Sequence, residues 1–323
     1  MTRTTGLGLL ASAAAMVMVA SGAHAACLIG MSNYTLAAPY FAAQDAEAHK
    51  KGAAEGCKVI SANGQNDMTK QISDIEDMVS RHVDLLLVNA RDPEGLVPAV
   101  KAAVAAGVKV VAVDSGLDPK AGYITLVQSS NTQNGLLVGR WLANKMGSTP
   151  MKIALLSGDK GNIVGQERRD GVFAGIVEGQ LAGQGHVNFT VVGQGWGGWN
   201  QQGGMTAMED LLTAHPDINV VIGENDSMVL GAQRALEQHK RDTGVTFVAA
   251  ADGQKQAIKL IEDGKYGATG RNDPTLVIDT AIDVGMKALH GTLPKDFPKT
   301  DYTKPVAITK ANASQYYKSD AVF

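Results

Sequence analysis

The sequence predicts an α/β protein of two doubly wound, parallel-sheet lobes joined by a hinge. Three observations predict it. Short, continuously apolar runs alternate with helical patterns, as parallel strands covered on both faces require. The alternation restarts near residue 150, which makes two sheets, each large enough for a domain. Run after run then ends in a polar residue, at the edge where sheets of this kind bind ligands.

The opening stretch stands apart from this pattern. "MTRTTGLGLLASAAAMVMVASGAHA" has Arg3 as a charged head, an apolar run from Leu7 to Ala20, and the small residues Ala23 and Ala25 around a cleavage position. It reads as a secretory signal peptide over residues 1–25, too short in its apolar part to span a membrane. Cys27 follows closely and raises lipidation as an alternative, but "HAAC" lacks the aliphatic residue expected three places earlier. The mature chain is therefore expected to start near Ala26, exported to an oxidising compartment. Hydrophobic residues make up 45%, charged residues 19% and the net charge is -3, which suits a protein with a core and gives no footing for nucleic acid.

The elements follow in order. "CLIGMS", "KVISA", "VDLLLVN" and "VKVVAVD" are the first four strands. Between them, "YFAAQDAEAHKKGAAEG" is a helix stopped by Gly56. "MTKQISDIEDMVSRH" sets Ile72, Ile75, Met78 and Val79 on one helical face. "DPEGLVPAVKAAVAAG" predicts a helix with Asp92 as N-cap, Pro93 in the first turn and Gly107 as its stop. "TLVQSSNTQNG" is the join. "MKIALLSG", "NFTVVGQG", "INVVIGEN", "TFVAAADG" and "YGATGRN" are the strands of the second half, and the Pro- and Lys-rich segment 291–323 crosses back over the join. The expected lobes are 26–129 with 273–305, and 130–272 with 306–323.

Cys27 and Cys57 open the first two strands. In a sheet of order 2-1-3-4-5 those strands are parallel neighbours, so the two residues lie within disulfide reach in an oxidising compartment.

No catalytic apparatus is legible. There is no G-x-S-x-G elbow, no phosphate-binding G-x-x-x-x-G-K-[ST], and none of the seven His residues pairs at i, i+4 as a zinc helix would. Catalytic residues, metals and cofactors are accordingly none. "TVVGQGWGGWNQQGG" does satisfy G-x-G-x-x-G with Gly193, Gly195 and Gly198. It lies deep in the second half, however, and the acid that should follow stands before a strand. Trp196 and Trp199 suggest another use. An aromatic plate takes the apolar face of a sugar ring, while carboxylates, amides and Arg take its hydroxyls. The strand-end residues Asn33, Asn89, Asp114, Ser115, Asn225, Asp252 and Asn272 offer such groups.

From Cys27 to about Lys310 the chain resembles the periplasmic ribose-binding protein family, type I solute-binding proteins that serve ABC transporters. "PYFAAQDAEAHKKGAAEG", "QERRDGVFAGI", "LLTAHPDINVVIGENDSMVLGAQRAL" and "AADGQKQAIKLIEDGKYGAT" carry the likeness. The resemblance implies that Tyr40 and Phe41 lie on one sugar face and Trp199 on the other, with Trp196 in reserve. It implies that Asp114, Arg168, Asn225, Asp252 and Asn272 bind hydroxyls and that Asn89 lies near them. Two departures count against carrying over ribose. Ser115 stands where the family often has Arg, and the first loop, "SNYTLAAPYF", is longer with Ala38 in place of an Asn, leaving Asn33 as a replacement ligand. The expected function is capture of a monosaccharide, or of an alditol, by a monomer that delivers it to a membrane permease, with a chemoreceptor as a further candidate partner. An exported glycoside hydrolase using Asp114 and Asp252 is the enzyme alternative. A sugar-sensing repressor of the same fold would need a helix-turn-helix where the leader stands.

Overall fold

The structure is a computed structural model that describes residues 1–2 and 27–323. The leader read at 1–25 therefore lies, Met1 and Thr2 apart, outside the described residues. The first half runs β1 (Leu28–Asn33), α1 (Pro39–Ala54), β2 (Lys58–Asn63), α2 (Met68–Ser80), β3 (Leu85–Asn89), α3 (Val97–Ala105), β4 (Lys109–Val113) and β5 (Leu126–Ser129). The second runs α4 (Asn131–Met146), β6 (Met151–Ser157), α5 (Ile163–Gln184), β7 (Phe189–Trp196), α6 (Gln201–Ala214), β8 (Val220–Gly223), α7 (Asp226–Gln238), β9 (Thr246–Asp252), α8 (Lys255–Glu262) and β10 (Ala268–Arg271). The chain closes with α9 (Pro274–Leu289), β11 (Thr300–Thr303), β12 (Ala307–Thr309) and α10 (Ala313–Tyr316).

These strands form two six-stranded sheets, β11-β5-β4-β3-β1-β2 and β12-β10-β9-β8-β6-β7. Every pairing is parallel except that of β10 with β12. Each sheet buries apolar side chains on both faces. In the first, Ile75, Leu86 and Val100 pack on one side and Ile29, Leu85, Val277 and Ile282 on the other. In the second, Leu156, Met228 and Leu236 oppose Ile153, Val172 and Ile176. The continuous apolar strands at the centre of each sheet are thus explained, since β3 and β8 are buried on both faces while the edge strands β2 and β7 keep exposed residues.

The chain passes between sheets three times, after Ser129, between Arg271 and Pro274, and between Thr303 and Ala307. Helix α9 follows the second-sheet strand β10 but packs on α1 and on β3 to β5 of the first.

A disulfide joins Cys27 to Cys57, with Cα atoms 4.6 Å apart. The register explains it: Leu28 sits beside Lys58 on parallel neighbours, so the preceding residues are adjacent as well. The third helix differs from expectation. It begins at Val97 rather than beside Asp92, whose carboxylate instead accepts from the amides of Glu94 and Gly95 in a separate turn. Pro98 has no N–H to give a carbonyl one turn back, so the ladder starts only where that donor is not needed.

Candidate functional site

The C-terminal ends of both sheets face a single cleft between the lobes. Its walls include Tyr40, Phe41, Asp114 and Ser115 from the first lobe, and Arg168, Trp199, Asn225, Asp252 and Asn272 from the second half of the chain. Sequence reasoning placed these nine together, and the fold brings them to one hollow.

Arg168 is the hub. It is 4% exposed, on the second turn of α5. Its guanidinium donates to Asn131 Oδ1 at 3.0 Å and to the Glu224 carbonyl at 3.1 Å, and lies 3.0 Å from Asp252 Oδ1. Its position is set by backbone contact between α4 and α5. A Cβ on Gly135 would stand 2.6 Å from the Arg168 carbonyl, so only glycine lets the helices approach this closely.

Asp252 ends β9 and is oriented from below. The carboxylate of Asp226 accepts from the amides of Asp252, Gly253 and Gln254 at 3.1, 2.8 and 2.8 Å, and from the hydroxyls of Thr269 and Tyr266. Burial raises the Asp252 pKa to about 6; Arg168 pulls it down while Asp226 and Asp114 push it up. Asp114, at the end of β4, is also raised by burial, against the pull of Arg168 and the Tyr40 hydroxyl. That hydroxyl donates to Asp114 Oδ1 at 2.9 Å and lies 2.9 Å from Asn272 Oδ1, which ties the first lobe to the strand-end loop of the second.

The aromatic residues occupy opposite walls. Tyr34, Tyr40 and Phe41 form an edge-to-face cluster with ring centroids 4.9 and 5.5 Å apart. Across the cleft, Gly198 and Trp199 both take positive φ, +53° and +62°, which swings the indole back over the site. Its ring lies where a Cβ on Gly158 would be, and Arg168 sits 5.7 Å from its centroid. Asn225 caps α7 through Met228 and donates from its amide to the Trp199 carbonyl at 3.0 Å, so it fixes that turn too.

Three residues read as site candidates fall elsewhere. Asn33 and Asn89 are fully buried register partners on β1 and β3. Their amides donate to Asp45 and Gln44 of α1, at 3.1 and 3.2 Å, so they fasten that helix beneath Tyr40 instead of lining the cleft. Trp196 is 38% exposed at the end of an edge strand, flanked outside the cleft by Lys160 and Arg169. Two glycines of the G-x-G-x-x-G run serve packing, since a Cβ on Gly193 would meet Leu211 at 2.5 Å and one on Gly195 would meet Ala207 of α6 at 2.7 Å, while Gly198 supplies the positive φ of the turn. No phosphate cradle results.

The cleft also takes residues that the sequence reading passed over. Tyr34, Asn162, Val164, Ser227 and Phe323 line it. Asn162 was findable, since it caps α5 just after the strand-end "SGDKG". Phe323 had no signal at all. Among the described residues, no group of three or more His, Cys, Asp or Glu side chains is placed to hold a metal ion, and no helix is long and apolar enough to cross a membrane.

A profile of the periplasmic binding protein domain matches residues 29–293. The chain belongs to the periplasmic binding protein family. It is 35% identical to the ribose import binding protein of Bacillus subtilis over 263 residues, covering 81% of this chain and 82% of the relative. An ABC transporter solute-binding protein from Mycobacterium smegmatis, solved with bound glycerol, superposes with a TM-score of 0.79 at 32% identity, over 92% of this chain and 98% of that one. The myo-inositol binding protein of Caulobacter, bound to myo-inositol, gives 0.76 at 25% identity, over 92% and 97%. The two-lobed architecture is the one these periplasmic binding proteins share.

Proposed function

We propose that this periplasmic binding protein captures a monosaccharide or small polyol in the interlobe cleft and hands it, chemically unchanged, to the permease of an ABC transporter. The observation that carries the reading is the cleft's lining: an aromatic wall on each side of a ring of buried charged and amide groups. A polyhydroxylated ligand has apolar C–H faces for Tyr40, Phe41 and Trp199, and hydroxyls for Asp114, Arg168, Asn225, Asp252 and Asn272. Arg168 faces two carboxyl groups, Asp252 and Asp114, so the ring has no spare cation for an acidic sugar. Ser115 in place of a longer cation keeps it so. Relatives that take ribose, glycerol and myo-inositol support a polyol class and not one sugar. The leader at 1–25, cleaved near Ala25, supports export to the periplasm. The lobes are read as 26–129 with 273–305, and 130–272 with 306–323, and closure of one on the other is stabilised by ligand bound to both.

A panel of aldoses and alditols, screened by melting temperature and tryptophan fluorescence, tests this. A ligand raises the melting point by mass action on the native state. Of three tryptophans only Trp199 lines the cleft. Trp199→Leu should abolish most of the fluorescence change and weaken binding by about 1–3 kcal/mol. A full-sized signal from the Leu variant would remove Trp199 from the ligand's face. Turnover of glycosides would turn the reading toward a hydrolase.

Affinity should depend on pH with a definite sign. A ligand hydroxyl needs the Asp252 carboxylate as acceptor, and that group takes up a proton below about 6. Dissociation constants should be flat above neutrality and rise up to about tenfold per pH unit below 6. Stability runs the other way. A carboxyl whose folded pKa exceeds its unfolded value of about 3.9 costs stability as pH rises between the two, so Asp252 does not make the unliganded protein melt earlier at pH 5. Equal affinity at pH 5 and 7.5 in calorimetry would rule out Asp252 as the acceptor.

A further inference from the structure

Phe323 stands at the boundary between two hollows. On one side is the interlobe cleft, with about 60 Å³ of free space. On the other is a roomier hollow of about 610 Å³, between Ala43, Ala46, Glu47 and Lys50 of α1 and the second lobe. Asp252 and Phe323 are the two residues that line both. Asp252 is held by Arg168 and the backbone below it, and its carboxylate belongs to the polar ring. The partition is therefore the phenyl ring.

That ring is held in place. The segment after α10 returns toward the cleft with its carbonyls at Ser319 and Ala321 accepting from Lys255 Nζ. Phe323 then meets Tyr40 edge-on, centroids 5.4 Å apart and planes at 83°. Phe41 meets Tyr40 edge-on as well, at 5.5 Å. Tyr40 is thus clamped between two rings while its hydroxyl reaches Asp114 and Asn272.

We propose that Phe323 is a specificity-determining residue that closes one end of the ligand cleft, confining it to ligands of one sugar unit. The inference rests on the polyol reading above and adds the limit on size. Without the ring, the cleft opens into a hollow edged by Glu47, Lys50, Arg271 and Asp279, polar groups suited to a second sugar unit.

The test uses Phe323→Ala and Phe323→Trp in the full chain. Short probes are the aldoses and alditols that raise the melting point; long probes are their glucosides, with maltitol as the counterpart of sorbitol. The wild type should bind short probes and reject long ones. In Phe323→Ala the ratio of long to short dissociation constants should fall at least tenfold, with short-probe affinity kept within about fivefold. Phe323→Trp should leave the ratio at the wild-type value or raise it. A purely structural role would weaken both probe classes alike. An unchanged ratio in Phe323→Ala, or equal binding of long probes by wild type, overturns the proposal while leaving the polyol reading standing. Failure of the wild type to bind any short probe overturns both.

Discussion

Arg168→Ala is expected to weaken ligand binding by about 2–4 kcal/mol, some 30- to 1000-fold, because a charge-assisted donor is lost from a desolvated cleft. The same change should lower the melting point of the unliganded protein. Arg168 is buried, neutralises Asp252 and donates to Asn131 and to the Glu224 carbonyl, and removing one partner of a buried pair costs about 3–5 kcal/mol where the other stays charged. The stability loss should shrink at pH 5, since Asp252 can then take a proton. Adding Asp252→Asn should recover part of the melting loss and none of the affinity. Calorimetry and melting curves on the two variants separate these effects. Unchanged affinity in Arg168→Ala would remove this residue from the binding set.

Reducing the Cys27–Cys57 bond, or replacing Cys57 with Ser, should lower the melting point by roughly 5–10 °C without changing affinity. The bond closes a loop with a sequence separation of 30, worth about 3–4 kcal/mol in the chain-entropy account. The cleft lies at the opposite, C-terminal end of the same strands, so the ligand should not sense the change. Alkylation and mass spectrometry of the unreduced protein supply the control. Two free thiols would mean that the pairing does not form in the exported protein, and an affinity loss on reduction would mean that β1 moves as a unit with the cleft.

Much of this protein is written locally. Short apolar runs bounded by polar residues and separated by helical patterns read as strands buried on both sides in parallel order, so two doubly wound sheets are legible from the pattern. Given the 2-1-3-4-5 order of such sheets, strand starts alone then place Cys27 beside Cys57, as the register shows. Polar residues at strand ends were legible for the same reason, since strands end where the apolar pattern does. Which of them face the cleft was not legible. Asn33, Asn89 and Asp114 all follow apolar runs, yet Gln44 and Asp45 of α1 take the first two, and Asp114, at a positive φ of +60°, is left for the cleft. Trp196 and Trp199 lie three residues apart, and the positive φ at Gly198 and Trp199 sends one outward and the other in. Phe323 is the extreme case. It reaches Tyr40 across nearly the whole chain, a contact with no period, spacing or cap to announce it. Backbone periodicity depends on near neighbours and is carried by sequence; the direction of a side chain at the end of an element depends on whichever distant group is packed against it, and only the tertiary structure supplies that.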